Sequence, residues 1–273
     1  MDEQVPLLTQ SGVENPLREL RLIIAHVLGK SYEDVYFGES IEVSDKDVHR
    51  IQECINRRLN HMPLAKILGQ KEFWGMPFLV TADTLDPRPE SEVLIEAIEG
   101  LYVDSFCSLK ILDLGTGSGC LVLSALSLFP QAMGLGVDFS NRALNVAKKN
   151  AIRLGMDNRC EFIYSNWFSA ITGAWDIIIS NPPYIPEGTS LSDETLHDPA
   201  SALFAPEKGL MAYRLILEQA KVYLKPGGYL VFEIGAGQAF DIIDIALKNQ
   251  FKLFLARKDL LGHTRCLIFN HSD

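Results

Sequence analysis

The residues with most capacity for chemistry are Asn181-Pro182-Pro183-Tyr184, which follow directly on the run Trp175-Asp176-Ile177-Ile178-Ile179-Ser180. The aliphatic run predicts a buried strand. Two successive prolines, neither carrying a backbone N–H, end it. Such a turn offers a ligand acceptors without donors. Asn181 supplies a side-chain carbonyl and Pro182 a backbone carbonyl, Pro183 helps fix the course of the loop, and Tyr184 gives a flat face for stacking. A planar –NH2 group suits that arrangement. Both hydrogens find acceptors, and no donor competes for the lone pair that must attack. An amide nitrogen is a poor nucleophile because its lone pair is delocalised, so orientation is the help it needs. No metal or covalent intermediate is required. The motif fits a glutamine amide as well as the exocyclic amine of adenine or guanine, and its bland alternative is an Asn-Pro turn that merely ends a strand.

A second loop lies upstream. A strand through Ile111 to Leu114 runs into Gly115-Thr116-Gly117-Ser118-Gly119 and then into a helix. Glycines there let a ligand approach the backbone where a Cβ would collide. A dinucleotide fingerprint starting at Gly115 needs glycine or alanine at 120, and this chain has Cys120. No Lys-Ser/Thr pair follows to hold nucleotide phosphates, so a cofactor without a pyrophosphate fits better. The next strand ends at Asp138, where a carboxylate can accept both hydrogens of a ribose diol. Its alternative is to cap the helix that follows, a task open also to Ser140 and Asn141. Glycine loop, acid on the second strand and alternating elements together point to S-adenosylmethionine, and the pattern resembles the class I methyltransferases.

The elements that must position these groups come in two textures. From about Asn15 to His61 the pattern is helical. Leu17, Leu20, Ile24, Val27 and Leu28 predict one stripe closed by Gly29, Ser31 can cap a short helix, and Ser44 opens another with Val48, Ile51 and Ile55 on one face. Short apolar runs broken by Gly69, Gly75 and Pro77 predict a hairpin, and a helix is expected from Glu90 to Leu101. From Leu109 onward strands alternate with helices of about a dozen residues. The fold class is α/β: a Rossmann-like, doubly wound, mostly parallel sheet with a small N-terminal helical bundle. The last two strands, around a Gly-containing turn, predict an antiparallel edge pair. Domain bounds are expected at residues 1–62, 63–85 for the hairpin linker, and 86–273.

Composition limits the alternatives. The 273 residues are 47% hydrophobic, enough for a substantial core, and the net charge of -10 argues against binding nucleic acid by phosphate neutralisation. The basic stretch Ile55-Asn56-Arg57-Arg58-Leu59 predicts a solvated helix face. Five scattered cysteines lack metal or redox spacing and suggest a reducing compartment. With no basic, apolar N-terminal segment, neither a signal peptide nor a membrane span is expected, and the protein reads as cytoplasmic and monomeric.

Over nearly its whole length the sequence resembles the HemK-type release factor glutamine methyltransferases. The pieces that carry the resemblance are "PLRELRLIIAHVLG", "PLAKILGQKEFWGMPFLV", "LDPRPESE", "ILDLGTGSGC", "NWFSA" and "SNPPYIPE". The block Pro87-Arg88-Pro89-Glu90 is the most family-specific. The resemblance implies methylation of the glutamine side-chain nitrogen in the Gly-Gly-Gln tip of peptide chain release factors, leaving S-adenosyl-L-homocysteine, with the helical domain helping to hold the factor. It implies that Gly115, Thr116, Gly117, Ser118 and Gly119 line the cofactor, that Asp138 holds its ribose, that Trp167 flanks its adenine, and that Asn181 to Tyr184 bind the glutamine, with Asn181 also beside the cofactor. Arg88 shapes the pocket or pairs with a helix acid. The chain departs from the family pattern at Asn166, where an acid is usual, at Asp86, where an aliphatic residue is usual, and in lacking an "EP" start to the loop near His197. A ribosomal-protein glutamine and a nucleic-acid amine remain the alternative substrates, and a catalytically idle cofactor-binding protein the alternative class.

Overall fold

The computed structural model describes residues 3–38 and 41–271. The chain forms two compact units, Met1–Gln70 with Leu191–His197, and Lys71–Ser190 with Asp198–Asp273.

The first unit is helical: α1 (Gln4–Gln10), α2 (Pro16–Leu28), α3 (Tyr32–Phe37), α4 (Asp45–Leu59) and α5 (Leu64–Leu68). Its core is built on Leu8, Leu20, Ile23, Ile55 and Ile67. Helix α2 stops where Gly29 turns left-handed at φ 62°. Ser31 and Ser44 cap α3 and α4 by accepting the N–H groups of Asp34 and Asp47. The buried stripes are narrower than the sequence predicts, since Leu17 and Val48 point to solvent and Ile23 takes an inward place. Arg58 also departs from expectation. Rather than lying on a solvated face it is buried, and its guanidinium joins Glu19 of α2 to Glu194 of the returning segment, both at 2.6 Å.

The predicted hairpin is formed by β1 (Gln70–Phe73) and β2 (Met76–Leu79), all but its first residue in the second unit. Trp74 and Gly75 turn it, both at positive φ (52° and 68°), the twist a two-residue hairpin loop needs. A 3₁₀ turn, Pro89–Ser91, precedes α6 (Glu92–Glu99), so the helix expected from Glu90 to Leu101 is shorter, with its first turn wound tighter.

The central sheet contains β3 (Lys110–Leu114), β4 (Met133–Asp138), β5 (Cys160–Tyr164) and β6 (Trp175–Ser180). The chain then makes a two-residue parallel bridge between β7 (Ile185–Pro186) and β8 (Phe204–Ala205), and completes the sheet with β9 (Leu224–Glu233), β10 (Phe251–Lys258) and β11 (Thr264–His271). The seven strands lie in the order β10-β11-β9-β6-β3-β4-β5; only β10 and β11 contribute antiparallel pairs, the expected edge pair.

Helices α7 (Cys120–Leu128) and α8 (Asn141–Arg153) join α6 on one face. After two single turns, α9 (Ala200–Leu203) and α10 (Pro206–Gly209), helices α11 (Met211–Tyr223) and α12 (Ala239–Lys248) cover the other. Successive strand residues alternate between the layers: Ile177 and Ile179 pack toward α6 and α7, Ile178 toward α11. That double cover is why these strands read as unbroken apolar runs. Helix α12 was not among the predicted elements. Among the described residues no helix is long and apolar enough to cross a membrane.

Strand β3 pairs with β4 on one side and β6 on the other, and the chain winds away in opposite directions from it. In such a sheet a crevice opens outside the carboxyl ends at that reversal.

Candidate active site

A cavity of about 340 Å³ occupies that crevice, within the size range of small-molecule sites. Its floor is the loop after β3. Gly115, Gly117 and Gly119 all take positive φ (74°, 55° and 81°). The N–H groups of Gly115 and Thr116 both donate to Val137 O at 2.9 Å, fastening the loop to β4. Thr116 Oγ1 donates to Asp113 Oδ2 at 2.7 Å, and burial pushes the Asp113 carboxyl up to about 7. Gly115, Thr116, Gly117 and Ser118 line the cavity. A Cβ built on Gly117 meets no protein atom within 4 Å, so the space beside it is open to a ligand. Gly119 is different: it does not line the cavity, and its Cβ would press on Ala147, Leu123 and Phe162 at 3.2–3.4 Å. It is glycine for helix packing.

Asp138 stands on the wall beside the loop, and its carboxylate is held from two sides. Oδ2 accepts from Gly117 N–H at 3.0 Å and Oδ1 from Ser140 N–H at 2.8 Å. Burial raises its pKa, and the N–H donors of Ser140, Gly117 and Phe139 pull it back. Ser140, not Asp138, caps α8, through Ala143 N–H at 3.2 Å. The Asp138 carboxylate binds the N–H of that capping residue and caps no N–H of the helix itself.

After β5, Asn166 and Trp167 form a further wall. Trp167 is left-handed at φ 50°, and Ser165 Oγ donates to its carbonyl at 2.7 Å. Its ring also packs on the sheet core, so it is both core aromatic and cavity wall. Asn166 is exposed, with its N–H bound to Ser169 Oγ.

Of the proline motif, Asn181 and Pro183 line the cavity; Pro182 is buried behind them, and Tyr184 does not reach the lining. The tyrosine ring instead packs half-buried against the layer under α11 and α12, where burial pushes its hydroxyl up to about 12. Ser180 Oγ donates to Leu114 O at 2.7 Å, tying the end of β6 to the end of β3.

Arg88 lines the cavity too, and its ion-pair partner is Asp198, in the loop before α9, rather than a helix acid. Ser91, on the same wall, donates to Glu233, whose fully buried carboxyl is pushed up to about 7 by burial.

Two residues outside the sequence argument hold the site together. Asn150 of α8, wholly buried, donates to Ser118 O (2.9 Å) and Leu79 O (3.0 Å) and accepts from Leu79 N–H (2.7 Å). Gln238 does comparable work behind Tyr184. The only local sign of Asn150 is an amide on the apolar stripe of an amphipathic helix.

The donor set suits an adenosyl cofactor: a rigid carboxylate at the carboxyl end of β4, a glycine floor with open space beside it, an aromatic wall, and no cationic side chain on the glycine loop.

Comparison with known proteins gives concordant matches. The PrmC N-terminal domain family matches residues 3–69, and the methyltransferase small domain family matches residues 73–253. The chain is 41% identical to a release factor glutamine methyltransferase of Rhodospirillum rubrum, over 94% of this chain and 80% of that protein. It is 41% identical to another of that name from Agrobacterium fabrum, over 96% and 93%. A solved methyltransferase from Pyrococcus furiosus shares the fold, with a TM-score of 0.56 and 19% identity over 78% of this chain and 95% of that one.

Proposed function

We propose that this chain, which belongs to the release factor glutamine methyltransferase family, transfers a methyl group from S-adenosylmethionine to the side-chain nitrogen of the Gly-Gly-Gln glutamine in peptide chain release factors. The observation that carries the reading is that Asn181 borders the same cavity as Gly117 and Asp138. An amide acceptor and an adenosyl-type cradle thus open on one space.

Asp138 accepts the ribose hydroxyls, Gly115, Thr116, Gly117 and Ser118 form the floor, Gly119 lets that floor sit close on α8, and Trp167 flanks the adenine. When bound, the cofactor supplies an electrophilic methyl group on a sulfonium. Asn181 accepts one hydrogen of the glutamine amide through its side-chain oxygen. Pro182 offers its backbone oxygen to the other, and the two prolines keep N–H donors away from the nitrogen lone pair. Water takes the nitrogen's proton, since no side chain of the motif is a base. Tyr184 serves from behind, as packing.

The test is mass spectrometry of a release factor incubated with the protein and cofactor, with DNA and ribosomal RNA assayed in parallel. One added methyl group on the Gly-Gly-Gln glutamine is expected. Labelling that survives replacement of that glutamine, or that goes to the nucleic acids, removes the assignment.

A further inference from the structure

The proline motif is clamped at both ends. At its start, Ser180 Oγ holds Leu114 O. At its end the clamp is Gln238, beside the first turn of α12. Gln238 Nε2 donates to Tyr184 O at 3.0 Å and to Lys208 O at 3.3 Å, while Oε1 accepts from Gly235 N–H at 3.0 Å. One side-chain amide thereby closes the loops after β6, β8 and β9.

Two glycines make the closure possible. A Cβ on Gly209 would fall 2.0 Å from Tyr184 O and 2.8 Å from Gln238 Nε2; one on Gly235 would fall 2.5 Å from Gln238 Oε1 and 3.0 Å from Tyr184 Cδ2. Gly209 ends a run of three left-handed residues, with Glu207 at φ 55°, Lys208 at 58° and Gly209 at 84°. Side-chain-bearing residues resist that conformation, and it persists only where surroundings hold it. Arg214 grips Glu207 with two hydrogen bonds of 2.7 and 3.0 Å, and Gln238 Nε2 holds the Lys208 carbonyl. Just upstream, β8 pairs with β7, the two residues that follow Tyr184.

We propose that Gln238 is a positioning residue: with the left-handed turn Glu207-Lys208-Gly209 it fixes the Tyr184 carbonyl, and so sets where the Asn181 side-chain oxygen stands in the cavity. The inference rests on the reading of Asn181 as the amide acceptor. Between Tyr184 and Asn181 lie only Pro182 and Pro183, whose rings lock φ. With both of those φ angles fixed, fewer torsions remain to absorb a shift at Tyr184. The clamp calls for a carboxamide, because two carbonyls need donors while one N–H needs an acceptor.

Gln238→Glu keeps the acceptor for Gly235 and loses the donor to Tyr184; Gln238→Met loses both. Each is expected to lower kcat for glutamine methylation about 10²-fold, the scale of a misplaced reacting group. The calorimetric Kd for S-adenosylmethionine stays within about twofold, because the ribose and glycine-loop contacts are untouched. Wild-type kcat in Gln238→Glu overturns the proposal, as does cofactor affinity falling in step with kcat, which marks a general loss of structure. If Gln238→Met does not fold, Gln238→Glu decides. Asn181→Ala, run alongside, separates the two readings: turnover lost there with Gln238→Glu unimpaired sinks only the clamp, whereas turnover retained removes the acceptor role and the clamp's purpose with it.

Discussion

Gly117 donates its backbone N–H to Oδ2 of Asp138 at 3.0 Å, so the floor of the cavity and its acidic wall are one hydrogen-bonded unit. With Ser140 N–H on the other oxygen, the carboxylate is oriented before any ligand arrives. Such pre-orientation lowers the ordering cost of binding.

Asp138→Ala is therefore expected to weaken S-adenosylmethionine by about 1.5–3 kcal/mol, the range for hydrogen bonds to a charged group. Titration calorimetry reads this directly. An unchanged Kd would mean that the ribose is held elsewhere.

Two glycines of one loop should respond differently to the same change. The alanine methyl at Gly117 enters open cavity space, so Gly117→Ala should chiefly cost cofactor affinity. At Gly119 the methyl meets Ala147, Leu123 and Phe162, and Gly119→Ala should lower stability by about 1–3 kcal/mol, as overpacking does. Both positions carry positive φ, a strain common to the pair, so the contrast between melting and binding is what counts. Equal effects on both readouts would reject the division.

Asn181→Ala should abolish turnover while cofactor binding is largely kept, since the substrate amide loses its partner and the floor does not change. Parallel loss of both, seen by calorimetry beside a methyl-transfer assay, would make Asn181 structural.

What could be read in advance was whatever lay close in sequence to a strand end. Gly115 and Asn181 each follow a strand and Asp138 ends one, and parallel pairing brings strand ends to one rim. The alternation of Ile177, Ile178 and Ile179 between two layers likewise follows from a covered parallel sheet. Arg58 could not be placed, because its partners Glu19 and Glu194 are remote along the chain and a charged helix residue defaults to solvent. The surroundings of Tyr184 could not be read in advance either, because Gly209, Gly235 and Gln238, which crowd or bind it, are all remote along the chain. Long-range closure, unlike strand-end placement, leaves no periodic mark.

Asn150 gives a stability prediction of that long-range kind. Asn150→Asp keeps an acceptor for Leu79 N–H but sets a carboxylate against the Leu79 and Ser118 carbonyls. A buried site with donors removed and charge added should lose about 2–4 kcal/mol in urea unfolding. Because Ser118 borders the cavity, cofactor affinity should fall as well. A variant as stable as the parent would show that the amide bridges are incidental.

Glu233 predicts how stability depends on pH. Its carboxyl is fully buried against Ser91 Oγ, and burial raises it from 4.5 to about 7 in the folded protein. Between those values the folded state binds a proton that the unfolded state has released. Stability from this group is thus complete below about 4.5 and is lost as pH rises through about 7. Asp113, raised from 3.8 to about 7 by burial, acts in the same direction. Glu233→Gln keeps an acceptor for Ser91 and removes the proton exchange. Relative to the parent, the variant should gain stability steadily from pH ~5 to ~8, by up to about 3 kcal/mol at the alkaline end. Urea unfolding across that range measures the difference, and two curves that stay parallel would mean that Glu233 titrates alike in both states.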